Sequence, residues 1–246
     1  MLDGAAAVHT TAQGEKDQAL VWVPQAEVRV VPLLFDLAPF QTMPGPAPVT
    51  KAFPDVITDE PLILFLSRLH VKKGIELLID AVADLEARSI PGRVVIAGGA
   101  YQQSYEDELQ AIVKARGLAH RIFFLGFVTG IEKISLYDAA DLFVLPTSQE
   151  NFGFVLFEAL AAGLAVITTK GADTWPEMKA SGGAVIVDPD PKALADSMER
   201  LLADPDLRTE MGRNGRAWVF ENLSAESGVA AFEDLYTSIV PRSPSS

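Results

Sequence analysis

The residues with the most chemical content are two carboxylates and a basic turn. In Pro146 to Lys170, PTSQENFGFVLFEALAAGLAVITTK, hydrophobicity is nearly unbroken from Phe152 to Ile167, and Glu158 is the one charged side chain between Glu150 and Lys170. Such a run reads as a buried strand, turn and helix of an α/β protein, which sets Glu158 on the second or third turn of a core-facing helix. Burying a carboxylate costs on the order of several kcal/mol unless it is paired, so a ligand or a basic partner should meet it there. Glu150 stands just ahead of Asn151 and Gly153, the expected helix start. Two carboxylates and the free N–H groups of a helix N-terminus therefore converge on one pocket.

The basic turn is Ser67-Arg68-Leu69-His70-Val71-Lys72-Lys73-Gly74, three cations in six residues followed by a glycine at a helix start. Fixed positive charge, free backbone N–H groups and the helix dipole all favour an anion, and phosphate fits them. A solvated basic loop is the alternative; an acidic chain and a position after a strand favour the phosphate. Gly98-Gly99-Ala100-Tyr101 permits close backbone approach to a ligand, or simply a tight turn. It is not a dinucleotide fingerprint, because the third glycine is missing and the loop follows a second strand. Gly126-Phe127-Val128-Thr129-Gly130 offers backbone groups to a nucleobase, or is a plain turn. The pairs Asp188/Asp190 and Asp204/Asp206 straddle prolines, which suits helix caps better than a metal site. Trp175-Pro176-Glu177 either covers the pocket or packs, with packing the simpler reading.

The elements that must position these residues alternate. Strands are expected at Leu62 to Ser67, Arg93 to Ala97, Arg121 to Leu125, Leu142 to Leu145, Ala165 to Thr168 and Ala184 to Val187. Between them lie helices at Gly74 to Arg88, Tyr105 to Arg116, Glu132 to Ala139, Gly153 to Ala162 and Trp175 to Ala180. Short apolar strands alternating with helices call for an α/β fold: a doubly wound, Rossmann-like parallel sheet of about six strands with helices on both faces. Ligands in such a sheet sit outside the carboxyl ends of the strands, where all of the loops above fall. Three further helices follow, at Pro191 to Ala203, Leu207 to Glu221 and Ala225 to Val240. Before the sheet, Leu2 to Val8 reads as a helix, His9 to Gly14 as a loop, Gln18 to Val23 as a short apolar segment and Glu27 to Pro32 as a strand. The proline-rich stretch from Phe35 to Pro61 reads as an irregular linker, and residues 241–246 as a disordered tail.

Composition narrows the partners. The chain has 246 residues, 49% hydrophobic and 22% charged, enough for one large or two small domains with ample core. No apolar run approaches the ~18 residues of a membrane span and no secretory signal opens the chain, so a cytoplasmic location is expected. With no cysteine, disulfides and thiolate metal ligands are excluded. His9, His70 and His120 lack a matched acid or nucleophile and are expected on surfaces or loops; neither a metal nor a cofactor is expected. A net charge of −13 opposes non-specific binding to nucleic acid or anionic lipid, so a local basic site calls for a specific anion.

Arg68 with Lys73-Gly74, the Gly98-Gly99 loop, the Gly126-Phe127-Val128 turn and Glu150-Asn-Phe-Gly-Phe-Val-Leu-Phe-Glu158-Ala-Leu-Ala-Ala-Gly occur in one order. Together they resemble the donor-binding half of the retaining GT-B glycosyltransferases of family 4, over about Val28 to Tyr236. The two glutamates, with seven residues between them, match that family's paired-glutamate motif. The resemblance implies transfer of a sugar from a nucleotide diphosphate sugar to an acceptor hydroxyl, with retention and without a metal. It gives Arg68 and Lys73 to the donor diphosphate, with Gly98 and Gly99 at the donor. Glu158 goes to the ribose hydroxyls and Glu150 to the transferred sugar. The amides of Phe152, Gly153, Phe154 and Val155 fall to phosphate or sugar oxygens, Asn151 lies with them at the donor, and the main chain of Val128 goes to the base. Without a donor, water or one of the cations Arg68 and Lys73 would meet Glu158.

The likeness also divides the chain: 1–35 as the end of an acceptor-binding domain, 36–61 as linker, 62–223 as the nucleotide-sugar domain and 224–240 as a crossing helix. That helix carries an apolar face (Val229, Phe232, Leu235, Tyr236, Ile239) expected to be partly exposed. The chain departs from the family where Leu33-Leu34 replaces Asn-Gly. An acceptor such as a glycan or lipid-linked sugar, a further domain or partner chain, and peripheral membrane attachment through that domain are implied. The alternative is a non-catalytic nucleotide-sugar-binding module; epimerisation or phosphorolysis would need acid–base groups or a cofactor lysine not identified here.

Overall fold

A computed structural model describes residues 5–240. A small unit comes first: strand β1 (Val8–Thr10), helix α1 (Gln13–Trp22) and strand β2 (Val28–Val30), with β1 and β2 parallel. Two short helices follow, α2 (Ala38–Gln41) and α3 (Ala47–Ala52). The main sheet then begins with β3 (Leu62–Leu66), α4 (Ile75–Ala87), β4 (Arg93–Ala97), α5 (Gln103–Ala115), β5 (Ile122–Gly126) and α6 (Gly130–Ala139). It continues with β6 (Leu142–Leu145), α7 (Phe154–Ala162), β7 (Ala165–Thr169), α8 (Trp175–Ala180) and β8 (Ala184–Val187). Helices α9 (Pro191–Ala203), α10 (Pro205–Asn222) and α11 (Ala225–Ile239) close the described chain.

All six main strands are parallel, in the order β5-β4-β3-β6-β7-β8. Every residue of β3, β6 and β7 is buried, which explains why these strands read as continuous apolar runs without alternation. Helix α4 lays Leu78, Ile79, Val82 and Leu85 into the core, and α7 buries Leu156, Phe157 and Leu160. The order reverses between β3 and β6, so a crevice opens where their carboxyl ends diverge.

Asp190 accepts from the Ala193 N–H at 2.8 Å and Asp204 from the Leu207 N–H at 2.9 Å, so these aspartates are the N-caps of α9 and α10. Three expectations differ from what is seen. Val8 lies in a strand instead of ending a helix, and His9 and Thr10 continue that strand; residues 1–4 lie outside the described residues, as do 241–246. Gln13 and Gly14 begin α1 instead of completing a loop, with Gly14 against the Asp173 backbone. The proline-rich stretch is irregular only in part: Pro39 and Pro48 sit in the first turns of α2 and α3, where a missing N–H costs nothing. Phe40 and Val49 are buried in the core, and the Val49 N–H donates to Ser135 on α6 at 3.1 Å. The apolar face of α11 is divided: Leu235 is buried, Phe232 meets His9 edge-on, and Val229 and Tyr236 are exposed.

Candidate functional site

The loops after β3 and β6 are stitched together by their own backbone contacts. A single 3-10 turn, Val71–Lys73, ends at Gly74, whose φ is 71°. A Cβ on Gly74 would fall 2.1 Å from the Pro146 carbonyl oxygen, so only glycine lets the two loops meet. The Lys72 carbonyl accepts from the Ser148 N–H at 2.8 Å and the Thr147 hydroxyl at 2.9 Å. The next loop presses equally close: a Cβ on Gly98 would lie 1.8 Å from the Ser67 carbonyl oxygen.

Above these contacts lies a cavity of about 520 Å³. Arg68, Lys73, Gly98, Gly99, Val128, Glu150, Asn151, Phe152, Gly153, Phe154 and Val155 all line it; Glu158 does not. The loops of β3, β4, β5 and β6 thus contribute together, and α7 starts at the wall with Gly153 in the left-handed region at φ 70°. Gly153 offers no side chain to cap the helix, so the first N–H groups of α7 are left for another acceptor. Phe152 turns inward, tilted against Phe157, which stacks on Trp218, and so anchors the loop from below. Phe127 stands 80% exposed at the rim.

Two ion pairs set the electrostatics. The Lys73 ammonium is paired with the Glu150 carboxylate, their side chains 8% and 21% exposed. A lysine this buried requires an anion, and in this state Glu150 is that anion. Lys72, next to it, points outward and is exposed, as is Arg68. The second pair is Lys133 Nζ to Glu158 Oε1 at 2.7 Å, with the Tyr137 hydroxyl donating to Oε2 at 2.8 Å. Burial, then the charge of Glu158, holds the Tyr137 hydroxyl protonated far above its ordinary range. Glu158 therefore has the basic partner its burial demanded, but neither Arg68 nor Lys73 supplies it. Lys133 comes from α6 and itself lines the cavity in front of Glu158. Neither Lys133 nor Tyr137 stood out in the sequence. Their spacing of four on one helix was the available signal, since it puts both on the face α6 turns to α7.

The remaining candidates fall elsewhere. His9 and His120 are exposed, and His70 caps the 3-10 turn by accepting from the Lys72 N–H at 3.1 Å. Glu177 accepts from the Gln13 N–H at 2.7 Å and fastens α1 to α8, so the Trp175-Pro176-Glu177 stretch packs and does not cover the cavity. Among the described residues no cluster of three or more His, Asp or Glu side chains could hold a metal, and no helix is long and apolar enough to cross a membrane.

Residues 50–218 match the family model described as glycosyl transferases group 1. An uncharacterised glycosyltransferase of Methanocaldococcus jannaschii is 35% identical over 167 residues, covering 68% of this chain and 42% of the relative. Sucrose-phosphate synthase from Thermosynechococcus elongatus superposes with a TM-score of 0.81 at 28% identity, over 97% of this chain and 59% of that one. Anabaena HepE, solved with UDP and glucose, gives 0.80 at 22% identity over 95% and 64%, a likeness of fold. The chain spans about half the length of the curated relatives it matches.

Proposed function

The chain belongs to the group 1 glycosyl transferases, of GT-B type, and we propose that its cavity binds a nucleotide diphosphate sugar whose sugar passes to an acceptor hydroxyl with retention at the anomeric carbon. The observation that carries this reading is the meeting of Arg68, Lys73 and the uncapped start of α7 at the strand-order reversal of a chain with net charge −13. A diphosphate is the anion such a site suits. HepE, of the same fold, was solved with UDP and glucose.

Lys73 and Glu150 exchange partners in this mechanism. The donor's phosphate takes Lys73, and Glu150, released from the pair, accepts from hydroxyls of the sugar. As the glycosidic bond lengthens, charge gathers on the departing phosphate, where Arg68, Lys73 and the α7 N–H groups are already fixed. Such preorganised donors are each worth about 3–4 kcal/mol in the transition state. They do the work a metal does in other transferases, so the reading needs neither metal nor cofactor. Glu158 takes the ribose hydroxyls and the Val128 main chain the base. On this reading the chain is a retaining family 4 enzyme of hexosyltransferase type. Residues 62–223 form the donor domain, while the β1-α1-β2 unit and α11 face the acceptor side, where a further domain or partner chain brings a glycan or lipid-linked sugar.

Thermal shift with UDP, GDP, ADP and their sugars tests this. A ligand at a hundred times its dissociation constant adds about 2.7 kcal/mol of stability. One of the three nucleotides should raise the melting temperature, with or without a chelator; a flat response to all of them overturns the reading.

A further inference from the structure

Glu158 is held by two partners of opposite character. Both come from α6, one helical turn apart, and each takes one carboxylate oxygen: Lys133 holds Oε1 and Tyr137 holds Oε2. Tyr137 is completely buried, with its ring against Phe40 and Phe143, and the one other acceptor for its hydroxyl among the described residues is the Val155 carbonyl at 3.5 Å, so Glu158 at 2.8 Å is its main partner. The Lys133 side chain is 25% exposed on a flexible four-carbon stem. Lys133 lines the cavity, whereas Glu158, its side chain 15% exposed, is not among the lining residues. With Tyr137 on Oε2, a group that reaches Glu158 from the cavity competes with Lys133 for Oε1.

We infer that Lys133 is a releasable counter-ion occupying the ribose seat on Glu158, and that it sets how strongly the site distinguishes a ribose diol from a sugar lacking it. This rests on the reading of Glu158 as the ribose ligand. Tyr137 keeps the carboxylate aimed in both states, while Lys133 compensates its charge only when the seat is free. A vicinal diol presents two O–H donors and can satisfy Oε1 in place of the ammonium. The binding of a ribonucleotide then includes the cost of parting the ion pair, and a dideoxynucleotide, with nothing to offer Oε1, leaves the pair intact. Lys133 is thus a specificity-determining residue whose presence weakens ribose selection.

The test is the ratio of dissociation constants for the 2′,3′-dideoxy and ribo forms of a nucleoside diphosphate, measured by calorimetry on the 246-residue chain. The probe is whichever of UDP, GDP and ADP binds most tightly. Losing a positive charge in the cavity weakens the general attraction of both forms alike, so the ratio isolates the diol. K133M should raise that ratio about two- to fivefold, the worth of a partly exposed ion pair. K133Q, which keeps a polar stem should K133M fold poorly, should raise it in the same direction. An unchanged or smaller ratio in the folded variants overturns the inference while leaving the ribose reading intact. A wild-type ratio of one removes the ribose reading and the inference with it.

Discussion

Near the carboxyl ends of the strands the paired cations are lysines with a single carboxylate each; near the amino ends they are arginines with several partners. Lys73 has Glu150 and Lys133 has Glu158. At the other end, Arg121 holds both the Gly92 carbonyl at 2.9 Å and Glu86 at 2.8 Å, and Arg88 reaches Asp84, Asp196 and Glu199. A guanidinium fork fixes several groups at once, and Arg88 thereby ties α4 to α9. An ammonium is a point charge on a mobile stem that can change partners. The amino ends are therefore stapled and the carboxyl ends poised for exchange, which is the division a binding face needs from its scaffold.

The largest effect expected from breaking that contrast is at Lys73. In the proposed mechanism Lys73→Ala strips the developing phosphate charge of a preorganised partner and should cut turnover about 10²- to 10³-fold. Nucleotide affinity should fall far less, because that mechanism leaves Arg68 and the α7 N–H groups to bind the ground-state diphosphate. Steady-state kinetics with an accepted donor, beside calorimetry with the nucleotide, separates the two. Equal losses in both would make Lys73 a binding group only.

A smaller effect of the opposite kind is expected at Arg121. Arg121→Ala removes a side chain only 7% exposed together with its bond to the Gly92 carbonyl. Hydrogen bonds from charged donors contribute about 1.5–3 kcal/mol, so denaturant unfolding should show a loss of about 2 kcal/mol. Nucleotide affinity should not move. A loss of affinity without a loss of stability would dissolve the distinction between the two ends of the sheet.

How much of this was legible in the sequence depends on what fixes each feature. The strands read correctly because full burial of β3, β6 and β7 leaves continuous apolar runs and the half-buried edge strands β5 and β8 are still apolar, and the capping aspartates because proline and cap chemistry are local. Glu158 was visible as a carboxylate in an apolar helix, since the need for a partner follows from burial alone. The identity of that partner was not visible, because Lys133 and Tyr137 reach Glu158 only through the packing of α6 on α7. The Lys73–Glu150 pair was hidden for the same reason: it depends on loops from two strands meeting at Gly74. Pro39 and Pro48 were read as breakers, although each sits where a helix tolerates proline, and three-residue β1 is too short for any periodicity to show.

Glu177 supplies the subtlest expected effect, because it is a carboxylate that neither end has matched with a cation among the described residues. Burial, opposed by the Gln13 N–H, raises its pKa above the ordinary 4.5, and its Oε2 has no hydrogen-bond partner. A carboxylate whose pKa is raised on folding binds its proton more tightly in the native state. Its charge therefore destabilises the fold at neutral pH, and the penalty fades as pH falls through the raised value towards 4.5. Glu86 and Asp196 have the opposite sign: the hydrogen bond from Arg121 lowers the first, and those from Lys192 and Arg88 lower the second. Their contributions hold at neutral pH and are lost only as pH falls below about 4. Glu177→Gln should accordingly raise the melting temperature by about a degree at pH 7, with the gain shrinking as pH falls towards 4.5. A gain that persisted unchanged across that window would mean that the amide's packing, and not the removed charge, was responsible.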